Sequence, residues 1–146
     1  MAAIGHPPGK EWLVEVYDPR DRESAVANLA LHDGESLATS GIYENVRGHG
    51  EQRRAHLINP HSGEAVPAGP LSVTVVMTGG EQVDALTKAF FFARQLDSEA
   101  AREVLARFPQ ASVMLVSAKG GKLQVQRGGA QPARFRQIES PVPNAR

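Results

Sequence analysis

Alternating hydrophobic and polar residues mark the first third of the chain as β-structure. In EWLVEVYDP (11–19), every second residue from Trp12 to Val16 falls on one face, and Asp-Pro ends the run. Residues 26–41 predict two further strands around His32-Asp33-Gly34, because Asp-Gly supplies the positive φ that a tight turn requires. We expect these two strands to pair as a hairpin that places Thr39-Ser40-Gly41 at a strand end.

The second half of the chain predicts two helices and three more strands. LSVTVVMTGG (71–80) is the strongest strand signal, because it is rich in β-branched residues and ends in two glycines. Apolar residues at helical spacing predict one helix over Glu81 to Arg94 and another over Ser98 to Phe108. ASVMLVSAKGGKLQVQR (111–127) predicts two strands joined by a Gly-Gly turn.

These elements indicate one domain over residues 1–146, of the α+β class, with a largely antiparallel sheet and two helices. A hydrophobic content of 41% suits a modest core in a chain of 146 residues. Residues 128–146 predict a loosely ordered tail.

Charge and composition exclude several classes of protein. Lys plus Arg and Asp plus Glu both number 16, so a net charge of zero gives no attraction to nucleic acid, and we expect no nucleic-acid partner. The absence of cysteine excludes disulfides, thiolate metal sites and a Cys nucleophile. No apolar run approaches the ~20 residues that span a bilayer, and the first residues lack a signal-peptide pattern. As written, the chain predicts a soluble protein without signal or anchor, and its localisation stays open.

Five separated motifs, in the same order and at similar spacing, resemble the carboxy-terminal half of the ApbE family. They are EWLVEVYDP, LATSGIYE, HLINPHSGEAV, LSVTVVM and VDALTKAFFFA. Any one of them alone would be weak, and their order makes the resemblance specific. It extends from about Ile4 to about Val116 and implies about half of an ApbE-like fold.

The resemblance implies an FAD:protein FMN transferase. Such enzymes hold FAD with a divalent metal, usually Mg²⁺, and pass FMN to a Thr or Ser hydroxyl of an acceptor flavoprotein, releasing AMP. This phosphoryl transfer depends mainly on positioning and on neutralisation of charge. The implied partner is the flavin-acceptor protein. Family members are typically periplasmic and membrane-anchored.

The resemblance also implies roles for particular residues. His56 occupies the position of the histidine near the acceptor hydroxyl, where a side chain that titrates near neutrality can take a proton. The expected FAD-binding residues belong to the hydroxyl-and-glycine turn and to the turn after His56: Thr39, Ser40, Gly41, Tyr43, Asn59 and Gly63. Without the resemblance, these are ordinary turn residues, and His56 is a surface or packing histidine.

The helix motif departs from the family at one position. In the family, an Asp and a Thr four residues later supply oxygens to the metal, whereas here Lys88 stands four residues after Asp84, and Thr87 comes one place early. Three interpretations remain open. Asp84 ligates the metal, with Thr87 as a further ligand, or Asp84 and Lys88 form an ordinary ion pair on the helix, or Lys88 supplies positive charge beside a pyrophosphate.

Two functions follow from the resemblance. The chain is an FMN transferase, or it is a non-catalytic, truncated relative that binds flavin nucleotide or a partner protein. In either case we expect the rest of the pocket to come from a separate chain carrying the amino-terminal half or from a homodimer. We expect Val73, Val75, Phe91 and Phe92 to form an exposed apolar interface.

Overall fold

A computed structural model describes residues 1–5, 11–42, 63 and 69–138 of the chain. These residues form strands and helices in the order β1 (Trp12–Asp18), β2 (Asp21–Leu31), β3 (Glu35–Gly41), β4 (Ser72–Thr78), α1 (Val83–Ala93), α2 (Glu99–Arg107), β5 (Ser112–Lys119), β6 (Lys122–Gly129) and β7 (Arg136–Gln137). Short 3₁₀ turns precede α1 and β7. Neither helix is long and apolar enough to cross a membrane, in the part of the chain that the structure describes.

The strands form two antiparallel sheets rather than one. One sheet has the order β3-β4-β5-β6 and the other β1-β2-β7, and every described strand pair is antiparallel. The predicted α+β class, with antiparallel strands and two helices, is confirmed. The predicted Gly-Gly hairpin is also confirmed, because β5 and β6 pair along their whole length across Gly120-Gly121.

The predicted pairing of β2 with β3 is wrong, although both strands lie close to where they were expected. β2 pairs with β1 and β7, whereas β3 pairs with β4. Gly34 has the expected positive φ of 77°, but its turn carries the chain from one sheet to the other. The physical reason is burial: Leu29, Leu31 and Leu37 all belong to the core between the sheets, so β2 and β3 stack face to face.

The described residues form three layers, with the four-stranded sheet in the middle. α1 and α2 cover one face of this sheet, and the core between them contains Val73, Val75, Phe90 and Phe91, all fully buried. The three-stranded sheet covers the other face. The predicted exposed patch is therefore wrong, because Val73 and Val75 lie beneath the helices, Phe91 is buried on the inner side of α1, and Phe92 packs against the same core.

The predicted loose tail does not fit residues 128–138. Phe135 is fully buried in the core between the sheets, and β7 pairs with β2. The burial of this large aromatic side chain helps to hold the segment in place, because it removes much apolar area from water. Residues 139–146 lie outside the described residues.

An ion pair fastens the same segment to both sheets. Arg134 donates from Nη1 to Glu35 Oε1 over 2.8 Å and from Nη2 to the Ala30 carbonyl over 3.0 Å. Glu35 opens β3, and Ala30 belongs to β2. Glu35 Oε2 also accepts from the His32 backbone N–H at 2.8 Å. The two charged side chains are only 9% and 11% exposed.

Candidate functional site

Thr39, Ser40 and Gly41 lie at the end of β3, as predicted, but they do not share one face. Neighbouring residues of a strand point to opposite sides. Thr39 pairs with Thr74 of β4, and their hydroxyls lie 3.0 Å apart. Ser40 points to the helix side, where its Oγ lies 2.6 Å from Thr87 Oγ1. Only Ser40 of the three thus joins the side chains of α1.

A chain of hydroxyl groups connects Ser40 to α1. Thr87 Oγ1 donates to the Asp84 carbonyl at 2.7 Å. Because that hydrogen is already used, the Ser40 hydroxyl must be the donor to Thr87. Thr87 is fully buried, so its hydroxyl holds the helix against the end of β3 and faces no open space.

Asp84 lies at the surface and forms an ion pair with Lys88. The Lys88 ammonium lies 2.6 Å from Asp84 Oδ2, and it also donates to the Asp84 carbonyl at 3.2 Å. The Asp84 side chain is 74% exposed and that of Lys88 40% exposed. Of the three interpretations of this position, the structure shows the ion pair between Asp84 and Lys88.

The described residues do not fit a magnesium site. Magnesium requires several oxygen ligands at near-octahedral geometry, and no group of three or more His, Asp or Glu side chains comes together in the described residues. The one candidate carboxylate, Asp84, holds an ammonium, and the Thr87 hydroxyl is buried and engaged. Ligation of a metal by Asp84 stays a prediction.

Beside Asp84, a groove of about 480 Å³ runs between the start of α1 and the amino-terminal residues of the chain. Its walls include Glu81 and Asp84 on one side and Met1 and Ala2 on the other. The 3₁₀ turn before α1 packs tightly on β3, since a Cβ on Gly80 would collide with Ser36 Oγ. Only glycine allows this close approach.

The other predicted site residues are not placed relative to these. His56, Tyr43 and Asn59 lie outside the described residues. Gly63 is described with a positive φ of 69°, which is typical of a turn. Their roles therefore remain predictions.

Sequence reasoning missed the contact of Ser40 with Thr87. The hydrogen bond from the Thr87 hydroxyl to the carbonyl three residues earlier can be expected from the sequence, because Thr in helices often forms this bond. The partner Ser40 lies 47 residues away, and no local pattern indicates it.

Comparison with known proteins gives a consistent result. A model of the ApbE family matches residues 1–115. The chain is 30% identical to the FAD:protein FMN transferase of Salmonella typhimurium over 108 residues, which are 74% of this chain and 30% of that protein. It is 34% identical over 76 residues to the enzyme of the same name from Klebsiella pneumoniae, covering 52% of this chain and 22% of that protein.

Solved structures agree with the sequence relatives. An ApbE protein from Thermotoga maritima superimposes with a TM-score of 0.67 at 28% identity, covering 91% of this chain and 41% of that chain. The flavinyl transferase ApbE of Pseudomonas stutzeri shares the fold with a TM-score of 0.68 at 23% identity, covering 92% of this chain and 40% of that chain. The chain thus spans less than half the length of each of these relatives.

Proposed function

Because the chain belongs to the ApbE family, we propose that it takes part in the transfer of FMN from FAD to a Thr or Ser hydroxyl of an acceptor flavoprotein. The observation that carries the proposal is the family match over residues 1–115, which includes the stretches around Thr39, His56 and Asp84. Relatives that are 30% and 34% identical are FAD:protein FMN transferases. Since the chain covers 30% and 22% of these proteins, we propose that it acts together with the remaining part of the fold.

In the proposed reaction, the acceptor hydroxyl oxygen attacks the phosphorus atom of the FMN part of FAD. The bond from that phosphorus to the bridging oxygen breaks, and AMP leaves with the bridging oxygen. His56 takes the proton of the attacking hydroxyl. The Ser40, Thr87 and Asp84 hydrogen bonds fix α1 against the end of β3, which would keep the Gly41 backbone in a constant position beside a bound phosphate.

Lys88 has a proposed role in neutralising charge. The described residues present no fit for Mg²⁺, but they do present an ammonium, 40% exposed, one helical turn from Asp84. A pyrophosphate beside this part of α1 would be stabilised by a positive charge. We propose that Lys88 supplies part of the charge that a metal supplies in other phosphoryl-transfer sites.

Loss of covalent flavin in cells tests the proposed function, whichever protein is the acceptor. In cells that make this protein, deletion of its gene should remove at least one protein band that fluoresces as covalently bound flavin on a denaturing gel, and the native gene should restore it. Unchanged bands would contradict transfer. They would favour the alternative, a non-catalytic relative that binds flavin nucleotide, which the occupation of Asp84 by Lys88 also favours.

Isothermal titration provides a second prediction. The isolated chain of 146 residues should bind FAD weakly or not at all, because a pocket with missing walls leaves polar groups of the ligand unpaired. Submicromolar affinity for the monomeric chain would show instead that these residues hold a complete pocket.

The substitution Lys88→Thr tests the metal interpretation. It restores an oxygen four residues after Asp84 and releases the Asp84 carboxylate from its ammonium partner, so FAD binding by the complete assembly should become more dependent on magnesium. Lys122→Thr is the matched control, because Lys122 is an exposed lysine at the start of β6. If Lys88→Thr leaves the magnesium dependence of FAD binding equal to that of the native protein and of Lys122→Thr, Lys88 does not replace the charge of a metal and its proposed role is wrong.

A further inference from the structure

The large hydrophobic side chains that are exposed in the described residues all lie in one place. They are Met1 at 75%, Ile4 at 85%, Trp12 at 44%, Leu13 at 73% and Tyr17 at 49% exposure. All five line a single groove of about 760 Å³ along β1, which we call the β1 groove. A contiguous apolar surface of this kind usually marks an interface, whereas scattered exposed residues do not.

The strand β1 shows why this surface exists. Its inner residue Val16 is buried in the core between the sheets, and Val14 packs against the same core. The residues that alternate with them, Leu13 and Tyr17, point outward. The outer face of a sheet that meets water is normally polar, yet among the residues that the structure describes, Glu15 is the only one with a charged side chain that lines the β1 groove.

The edge of β1 adds a second feature to the same surface. β1 is an edge strand of the sheet β1-β2-β7 and pairs with β2 among the described residues. An edge strand offers backbone N–H and C=O groups to a further strand. The β1 groove therefore combines an apolar face with a strand edge, which suits a protein surface better than a small polar ligand.

Comparison with solved ApbE proteins indicates what covers the groove. Nearly all of this chain, 91% and 92%, superimposes on them, but it covers only 41% and 40% of their chains. More than half of each of those chains thus lies outside the part that this chain matches. The helix side of the central sheet is already closed, since Val73 and Val75 are fully buried beneath α1 and α2.

We propose that the β1 groove is the docking surface for the part of the ApbE fold that these 146 residues do not contain, whichever polypeptide carries it. Trp12, Leu13 and Tyr17 would be its central contacts, as large side chains in the middle of an interface contribute most of the binding energy. The proposal rests on membership of the family and does not require transfer of FMN.

Photo-crosslinking in the cells that make the protein tests the proposal. The photoreactive residue p-benzoylphenylalanine replaces Tyr17, an exposed aromatic residue in the groove, and the crosslinked peptides are sequenced. The expected partner peptide belongs to an ApbE-family sequence outside the segment matched by residues 1–115, from the same polypeptide or from a second one. Crosslinking to a second copy of this chain, to an unrelated protein, or to nothing would overturn the proposal.

A charged residue placed in the β1 groove provides a second test of the proposal. Leu13→Asp should lower the crosslink yield at least tenfold, and the fold should survive because Leu13 is 73% exposed, which circular dichroism checks. Gln124→Asp is the matched control, because Gln124 is an exposed residue on β6, an edge strand of the other sheet. Equal crosslinking in the Leu13→Asp and Gln124→Asp proteins would also overturn the proposal.

Discussion

Replacement of Arg134 by Met should lower the free energy of unfolding by about 3 kcal/mol, because it leaves a buried carboxylate without its charged partner. Arg134 binds both oxygens of Glu35 and also donates to the Ala30 carbonyl. The two side chains are 9% and 11% exposed, so water cannot fully replace the lost contacts. The substitution also cuts the link between the segment that carries Phe135 and the two sheets.

Chemical denaturation of native protein and variants measures this effect. Arg136→Met is the matched control, because Arg136 is an exposed arginine two residues further on, and surface substitutions usually change stability by less than about 0.5 kcal/mol. Adding Glu35→Gln to Arg134→Met should recover part of the loss, since the uncompensated charge is then removed. If Arg134→Met destabilises no more than Arg136→Met, the ion pair does not hold the fold.

The same ion pair gives stability a defined dependence on pH. Burial alone would raise the pKa of Glu35, but hydrogen bonds from Arg134 and the His32 backbone, with the charge of Arg134, hold the pKa below its usual range. A carboxyl whose pKa is lowered by folding stabilises the protein above its unfolded pKa, about 4.3, and this contribution is lost as the pH falls through the folded pKa. As the pH falls, the Arg134→Met protein should therefore lose less of its free energy of unfolding than the native protein does.

The sequence pattern predicted the strands and helices better than it predicted which strands lie side by side. Alternation and apolar spacing are local properties, and β1, β4, α1, α2 and the β5–β6 hairpin lie where these patterns placed them. The partner of β3 depended on a global property, namely that Leu29 and Leu37 bury into the same core from opposite sheets. A turn that favours a hairpin can equally pass between two layers.

The exposed and buried surfaces were predicted least well. The alternation in β4 could not reveal that α1 and α2 cover Val73 and Val75, because covering depends on how distant segments dock. Phe135 has no periodic neighbours to mark it as core, yet it is fully buried. Conversely, the alternation of β1 separated Leu13 and Tyr17 from Val14 and Val16, but only the structure shows that Leu13 and Tyr17 point outward and that Met1 and Ile4 join them.

Only those features of the candidate site that belong to short sequence motifs could be predicted from the sequence. The order of the motifs indicated the family, which the match over residues 1–115 confirms. The difference at Lys88 was also visible in the sequence, and the structure shows its consequence as an ion pair with Asp84. The contact of Ser40 with Thr87 required the fold.

Substitution of His56 by Ala should lower the rate of FMN transfer about 100-fold or more, as the loss of a positioned general base does. The affinity for FAD should change little, because the proposed role of His56 is toward the acceptor hydroxyl. The rate is measured as covalent flavin fluorescence on the acceptor that loses its flavin in the deletion strain. His61→Ala is the matched control, a histidine in the same stretch of sequence with no proposed role.

The dependence of the rate on pH separates catalysis from support of a turn. A histidine base works only when neutral, so the native rate should rise with pH as His56 loses its proton. His56→Ala should lose this rise, whereas His61→Ala should keep it. A histidine that only supports the turn predicted after it would lower the rate without removing the pH dependence, and that result would contradict the proposed base.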